Sequence, residues 1–335
     1  MKFLFFCCSL AVFFRLDKKL RESIIAYEEK EERMKINIKK HSRNPILTPV
    51  LKEGSFEKTC VYNPGAAVKD GKVYLLYRAE SRHENYISRI GLAISKDGFE
   101  FERYPRNPVI KEDKKLIIEK RGCEDPRVVK IDQGYFLTYG AYPGGEEMYL
   151  CGATSGDLIH WEKIGILVPG REKAGALVQN YKYKGKYVMY FGEGESLRVA
   201  LSKDLKNWEV INDSVLSIRE DYFDSYLVEG GPPPIITKDG ILLIYNSARR
   251  MINYEGKRDW LSYAPGLAIF DKDDPTRLLH RLDSPILEPT EYWERYGRVN
   301  NVIFATGLVY LKSRWLLYYG GTDKSIGVAT LYLDS

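Results

Sequence analysis

Five short stretches of this chain repeat one pattern, and that repetition constrains its fold more than any other feature. Each is a glycine or polar turn followed by an aromatic and β-branched strand ending on tyrosine at the same phase. They are Gly71–Tyr77, Gly134–Tyr139, Gly185–Tyr190, Gly240–Tyr245 and Ser313–Tyr318. Successive copies start 51 to 73 residues apart, within reach of a propeller blade carrying loop insertions. A strand reads before each copy, as in Gly65–Lys69 and Arg127–Ile131, and another after it, as in Arg89–Ile94 and Leu197–Leu201. Three of the later strands run into related turns, Ser95-Lys96-Asp97-Gly98, Ser155-Gly156-Asp157-Leu158 and Ser202-Lys203-Asp204-Leu205. Each turn delivers an aromatic onto the next strand: Phe99 or Phe101, then Trp161, then Trp208. No useful helical period follows Arg33. The pattern predicts an all-β fold, a five-bladed β-propeller, with an open sandwich of long hairpins as the alternative.

Residues 1–33 read differently. Met1–Phe14 is an apolar run too short to span a bilayer comfortably, and Arg15–Arg33 is densely charged at helical spacing. The run resembles a signal-peptide core but lacks a small-x-small cleavage site. Residues 1–33 are therefore expected to be an extension irrelevant to function, with a membrane anchor as the alternative, and 34–335 the propeller. Cys60, Cys123 and Cys151 in the body are odd in number and lack metal-ligand spacing, which favours reduced thiols, a cytoplasmic protein and no metal. A net charge of +5 with acids and bases interspersed gives no reason to expect a nucleic-acid partner.

In a propeller, the loops entering the inner strands converge on one mouth of the central channel. Here those entrances are Asn63-Pro64-Gly65, Glu124-Asp125-Pro126-Arg127, Lys173-Ala174-Gly175, Glu229-Gly230-Gly231-Pro232 and Asn300-Asn301. Proline at 126 biases Asp125 toward an extended backbone, and Arg127 places a permanent cation beside it. Single turns of this composition are ordinary, but five aligned on one channel end point to a polar site. Arg78, Arg89, Glu193, Asn246, Arg249 and Asp323 lie at or after neighbouring strands, although each also has a plain reading as an ion-pair or turn residue. The mixture of carboxylates, guanidinium groups, amides and tyrosines suits carbohydrate chemistry.

The ordered set Asn63-Pro64-Gly65-Ala66, Tyr77-Arg78-Ala79-Glu80, Ser88–Ala93, Cys123–Arg127, Gly230-Gly231-Pro232-Pro233 and Tyr319–Asp323 resembles glycoside hydrolase family 130, over about residues 40–333. That family comprises β-mannoside phosphorylases and β-mannosidases on a five-bladed propeller. The resemblance implies inversion at the anomeric carbon, with Asp125 as general acid and its proton relayed in some members through a mannose hydroxyl. It implies that Asn63, Arg78 and Asp323 hold the mannose. The best-known phosphorylases carry Arg, Lys and His around phosphate, where Lys173, Leu227 and Asn246 align here. With one cation left, and Glu193 and Glu229 placed as bases for water, the expectation is an inverting β-mannosidase. The alternative is a β-mannoside phosphorylase with inorganic phosphate as co-substrate, in which Arg249 or Arg250 restores anion binding. Arg89, Arg127, Lys173, Asn246 and Arg249 complete the expected binding set. A non-catalytic sugar-binding propeller stays open as a different class. No other cofactor is expected, and the expected partner is a β-mannoside oligosaccharide.

Overall fold

The computed structural model describes residues 36–145, 147–252 and 258–333. The extension expected over 1–33 lies outside the described residues. The chain divides into two compact units: residues 1–37 with 332–335, and Ile38–Leu331. The second unit carries the repeats and is a five-bladed β-propeller.

Each blade is an antiparallel sheet that runs outward from the channel. The first contains Cys60–Lys69, Lys72–Glu80, Arg89–Ser95 and Glu102–Arg103. The second contains Cys123–Ile131, Gly134–Gly144, Glu147–Ser155 and Glu162–Ile166, and the third Ala176–Leu177, Tyr187–Phe191, Ser196–Ser202 and Glu209–Ser217. In the fourth, Leu227–Gly230 and Ile235–Thr237 both pair with the long strand Gly240–Ile252, followed by Arg258–Phe270 and Leu278–Arg281. The inner position of this blade is thus filled by two segments. The break between them falls at Gly231 to Pro234, where three consecutive prolines remove ladder donors. The fifth contains Ile303–Leu311, Arg314–Gly321 and Ser325–Tyr332, and Asn37–Lys40 supplies its outer strand from the opposite end of the chain.

The repeated tyrosine now has a physical role. Tyr77, Tyr139, Tyr190, Tyr245 and Tyr318 are all fully buried, so each hydroxyl needs a partner. Each has one: Glu57 at 2.9 Å, Glu119 at 2.7 Å, the Pro275 carbonyl at 2.7 Å, Asp224 at 2.7 Å and the Gly98 carbonyl at 2.9 Å. The Ser-x-Asp turns are likewise built alike. The Ser155 and Ser202 hydroxyls accept the Leu158 and Leu205 amides at 2.9 Å, and Trp161 and Trp208 donate to those leucines' carbonyls.

The inner strands approach so closely that side chains are excluded between them. A Cβ on Gly65 would lie 2.5 Å from the Pro126 carbonyl oxygen, one on Gly307 2.6 Å from that of Pro64, and one on Gly230 2.1 Å from that of Ala174. This contact fixes the mouth.

Candidate active site

Asn63-Pro64 and Asp125-Pro126 sit inside strands, where proline is tolerated only at bulges or edges. Both pairs make a bulge. Register slips by one residue between Tyr62 and Gly65, and again between Glu124 and Arg127. Asn63 and Asp125 adopt φ of 45° and 49°, in the left-handed region. The expectation of an extended Asp125 is thus wrong: the bulge overrides the pre-proline preference and turns the carboxylate off the ladder.

Two equivalent bulges in adjacent blades bring their side chains together. Asn63 Nδ2 donates to Asp125 Oδ1 at 2.9 Å, and Arg78 reaches the same oxygen at 3.3 Å. Arg78 also donates to Glu80 and to Glu124, each at 2.7 Å. Burial opposes ionisation of Asp125, but Arg78, Lys173, Arg127 and the Asn63 amide outweigh it and hold its carboxyl below the usual range. Asp323 is pushed the other way, to about 6, by burial with Asp125 and Glu80 adding to it against Arg78 and Arg298. It therefore belongs to the same electrostatic cluster.

Across the mouth, Glu193 and Glu229 are direct partners in a two-residue ladder that joins the third blade to the fourth. Lys173 Nζ bridges them, 2.9 Å from Glu193 and 3.5 Å from Glu229. Burial pushes the Glu229 carboxyl up to about 8; Glu193 and Asp125 add to this, and Lys173 and Arg127 oppose it. The Glu229 side chain is 2% exposed, whereas that of Glu193 is 40% exposed. Of the two, only Glu193 faces solvent.

Arg127 is buried and spans from the second blade to the fourth. It donates to the Gly230 and Gly231 carbonyls at 2.6 and 3.0 Å, and to Glu229 at 3.4 Å. It also returns to the Asp125 carbonyl at 3.0 Å, so it braces the mouth and holds the Asp125 backbone. Asn246 is fully buried, and its amide exchanges bonds of 2.9 and 2.7 Å with the Ala305 backbone, tying the fourth blade to the fifth. Arg89 pairs with Glu84 and Glu112, and the half-exposed Arg249 lies 3.6 Å from Glu288. The structure brings together Asn63, Arg78, Asp125, Arg127, Lys173, Glu193, Glu229 and Asp323. Asn246 is committed to backbone, and the bonds of Arg89 and Arg249 lie outside this cluster.

Sequence reasoning assigned no role to two further residues. Arg298, on the loop before the fifth inner strand, pairs with Glu80 and reaches the Tyr62 hydroxyl at 3.4 Å. The Tyr263 amide donates to the Asn301 carbonyl at 2.8 Å, beside the fifth entrance, and burial, with Glu193, Asp323 and Glu229 adding and Lys173 opposing, pushes its hydroxyl up to about 12. Arg298 sits just before the Asn300-Asn301 entrance, a position that could have flagged it. Tyr263 falls in the third strand of a blade, and no motif marks it.

The family model for glycoside hydrolase family 130, described as beta-1,4-mannooligosaccharide phosphorylase, matches residues 27–335. The chain belongs to glycoside hydrolase family 130. Its similarity to a 1,2-beta-oligomannan phosphorylase of Thermoanaerobacter sp. (strain X514) is 37% identity over 303 residues, 88% of this chain and 97% of the relative. A solved family 130 structure superposes with a TM-score of 0.80 at 33% identity, covering 89% of this chain and 94% of the other. It is described under the statement that this family of mannoside phosphorylases contains glycoside hydrolases that target beta-1,2 mannosidic linkages in Candida mannan. The beta-1,2-mannobiose phosphorylase of Listeria innocua, solved with beta-1,2-mannobiose, superposes with a TM-score of 0.74 at 25% identity, covering 88% and 96%. The protein is thus a family 130 enzyme acting in β-mannoside chemistry, and its relatives favour phosphorolysis over the hydrolysis expected from sequence. Among the described residues, no group of three or more His, Cys, Asp or Glu is placed to hold a metal, and no helix is long and apolar enough to cross a membrane.

Proposed function

We propose that this family 130 enzyme cleaves β-1,2-linked mannosides by phosphorolysis, with inversion, to α-mannose 1-phosphate and a shortened saccharide. The observation that carries the reading is the state of Lys173. Its ammonium lies 2.9 Å from Glu193 and 3.5 Å from Glu229, and burial raises the Glu229 carboxyl so that it favours its proton. A Glu229 that holds its proton does not neutralise Lys173 and can itself donate to an anion rather than repel it. The names of the relatives supply the linkage and the co-substrate.

In the reaction, a phosphate oxygen forms a bond to the anomeric carbon from the face opposite the leaving sugar. The glycosidic C–O bond breaks, and the departing oxygen takes a proton from Asp125, directly or through a mannose hydroxyl. Three cations hold free Asp125 ionised, so it must take up a proton from solvent as the substrates bind. A phosphate dianion at Lys173 supplies the reason: it cancels the cation that depresses Asp125 and raises that carboxyl's pKa. Asn63 and Arg78 orient Asp125, and Asp323 faces the sugar.

Hydrolysis is the second reading, favoured by one observation. Glu193 is exposed and lies 2.9 Å from Lys173, a solvent-facing carboxylate within reach of a water. Lys173→Ala separates the two. Phosphorolysis predicts a rise in KM for phosphate of about tenfold or more, the usual scale for losing a charge-assisted contact. A reaction whose rate never depended on phosphate would overturn the proposal.

A further inference from the structure

Next to Asp125, the hydrogen-bond inventory leaves one proton to be placed. Ser88 Oγ lies 2.8 Å from Glu80 Oε1 and 2.9 Å from Glu124 Oε1. A serine hydroxyl has a single proton and can donate to only one of them. The second contact is attractive only if that carboxyl carries a proton and donates back to Ser88. Glu80 is already supplied by Tyr62 at 2.6 Å, by Arg78 at 2.7 Å and by Arg298, so it needs no proton. Glu124 receives only Arg78 and Ser88 among these groups and sits beside the Asp125 carboxylate.

We propose that Glu124 is a positioning residue, held as the neutral acid that donates to Ser88 and thereby leaves Arg78 to hold Asp125. Every group facing it bears on this state. Burial, Asp125 and Glu80 favour the proton and Arg78 opposes it, for a carboxyl pushed up to about 7; Ser88, whose own proton goes to Glu80, accepts it. Tyr62 borders the same cluster from the first inner strand. Loss of the proton adds Glu124 to Glu80 and Asp125 as a third anion on Arg78 and sets it against Asp125. The existing 2.7 Å contact of Arg78 with Glu124 then strengthens at the expense of its 3.3 Å hold on Asp125. The sequence shows the adjacent carboxylates but not that Ser88 ties one of them to Glu80.

The proposal rests on Asp125 as the acid in the proposed reaction, and its test has one arm that needs no turnover. Infrared difference spectra between the parent and Glu124→Gln, both substrate-free at about pH 6, should show the carbonyl stretch of one protonated carboxyl lost in the variant. In the second arm, the basic limb of the parent's kcat/KM profile should move up by roughly one pH unit or more in Glu124→Gln, whose carboxamide cannot ionise. Where the variant turns over too slowly for a profile, or misfolds, a pH titration of the parent's Glu carboxyl signals decides in its place, and a glutamate titrating near 7 in the Asp125 cluster is expected. Absence of that protonated carboxyl, or an unmoved limb, overturns the inference. Wrong products with the infrared band present would instead indict the phosphorolysis reading alone.

Discussion

At the residue scale, the site rests on one carboxylate whose protonation is contested by its neighbours. Asp125→Asn keeps the shape and the contact with Arg78 but removes the donor. Turnover should fall by at least ~10²-fold, the lower scale for losing general acid catalysis, with thermal stability nearly unchanged. Near-parental turnover in the folded variant would remove Asp125 from the mechanism. Glu229 gives a separate prediction. A carboxyl whose pKa is raised on folding keeps its proton after the unfolded chain has lost it, so stability falls as pH rises from 4.5 through about 8. Glu124 and Asp323 act with the same sign, while the depressed Asp125 acts oppositely and only in acid. Melting temperature should therefore drop between about pH 5 and about pH 8.5, and less steeply in Glu229→Gln. Equal slopes for both proteins would contradict the assignment. Asp125, Arg78 and Lys173 were legible as site candidates because they stand in short motifs at strand ends. The burial of Glu229 was not, since it depends on a ladder between residues in different blades.

At the element scale, the bulges and glycine contacts set the mouth. Pro64 and Pro126 signal a departure from a plain strand, yet sequence alone read Asp125 as extended, because only the partner strand's register reveals the extra residue. The Asn246 amide read as a ligand for the same reason: nothing local shows that Ala305 of the next blade takes up both its ends. Backbone packing at the mouth is testable with single methyl groups. Gly230→Ala places a Cβ 2.1 Å from the Ala174 carbonyl and should cost about 1–3 kcal/mol or more in denaturant unfolding. Gly156→Ala meets nothing within 4 Å and should fall within about 0.5 kcal/mol of the parent. Similar costs at the two positions would mean that the inner strands do not touch as described.

At the scale of the whole molecule, the tyrosine repeat fixed the number of blades because each copy builds the same buried, hydroxyl-satisfied contact. Ring closure was less legible, since Asn37–Lys40 has no tyrosine signature and finds its place only beside Ser325–Tyr332. A chain beginning at Met34 keeps that strand and is expected to retain activity and melting temperature, whereas one beginning at Ser42 loses it and should be less stable. Equal stability of the two would show that the strand does not close the ring.

The central claim is phosphorolysis, and product identity tests it most directly. Enzyme, β-1,2-mannobiose and inorganic phosphate are followed by proton and phosphorus NMR from the first turnovers. The account predicts that α-mannose 1-phosphate accumulates and that no cleavage occurs without phosphate. Free α-mannose as the first product, released at a rate indifferent to phosphate, would contradict it.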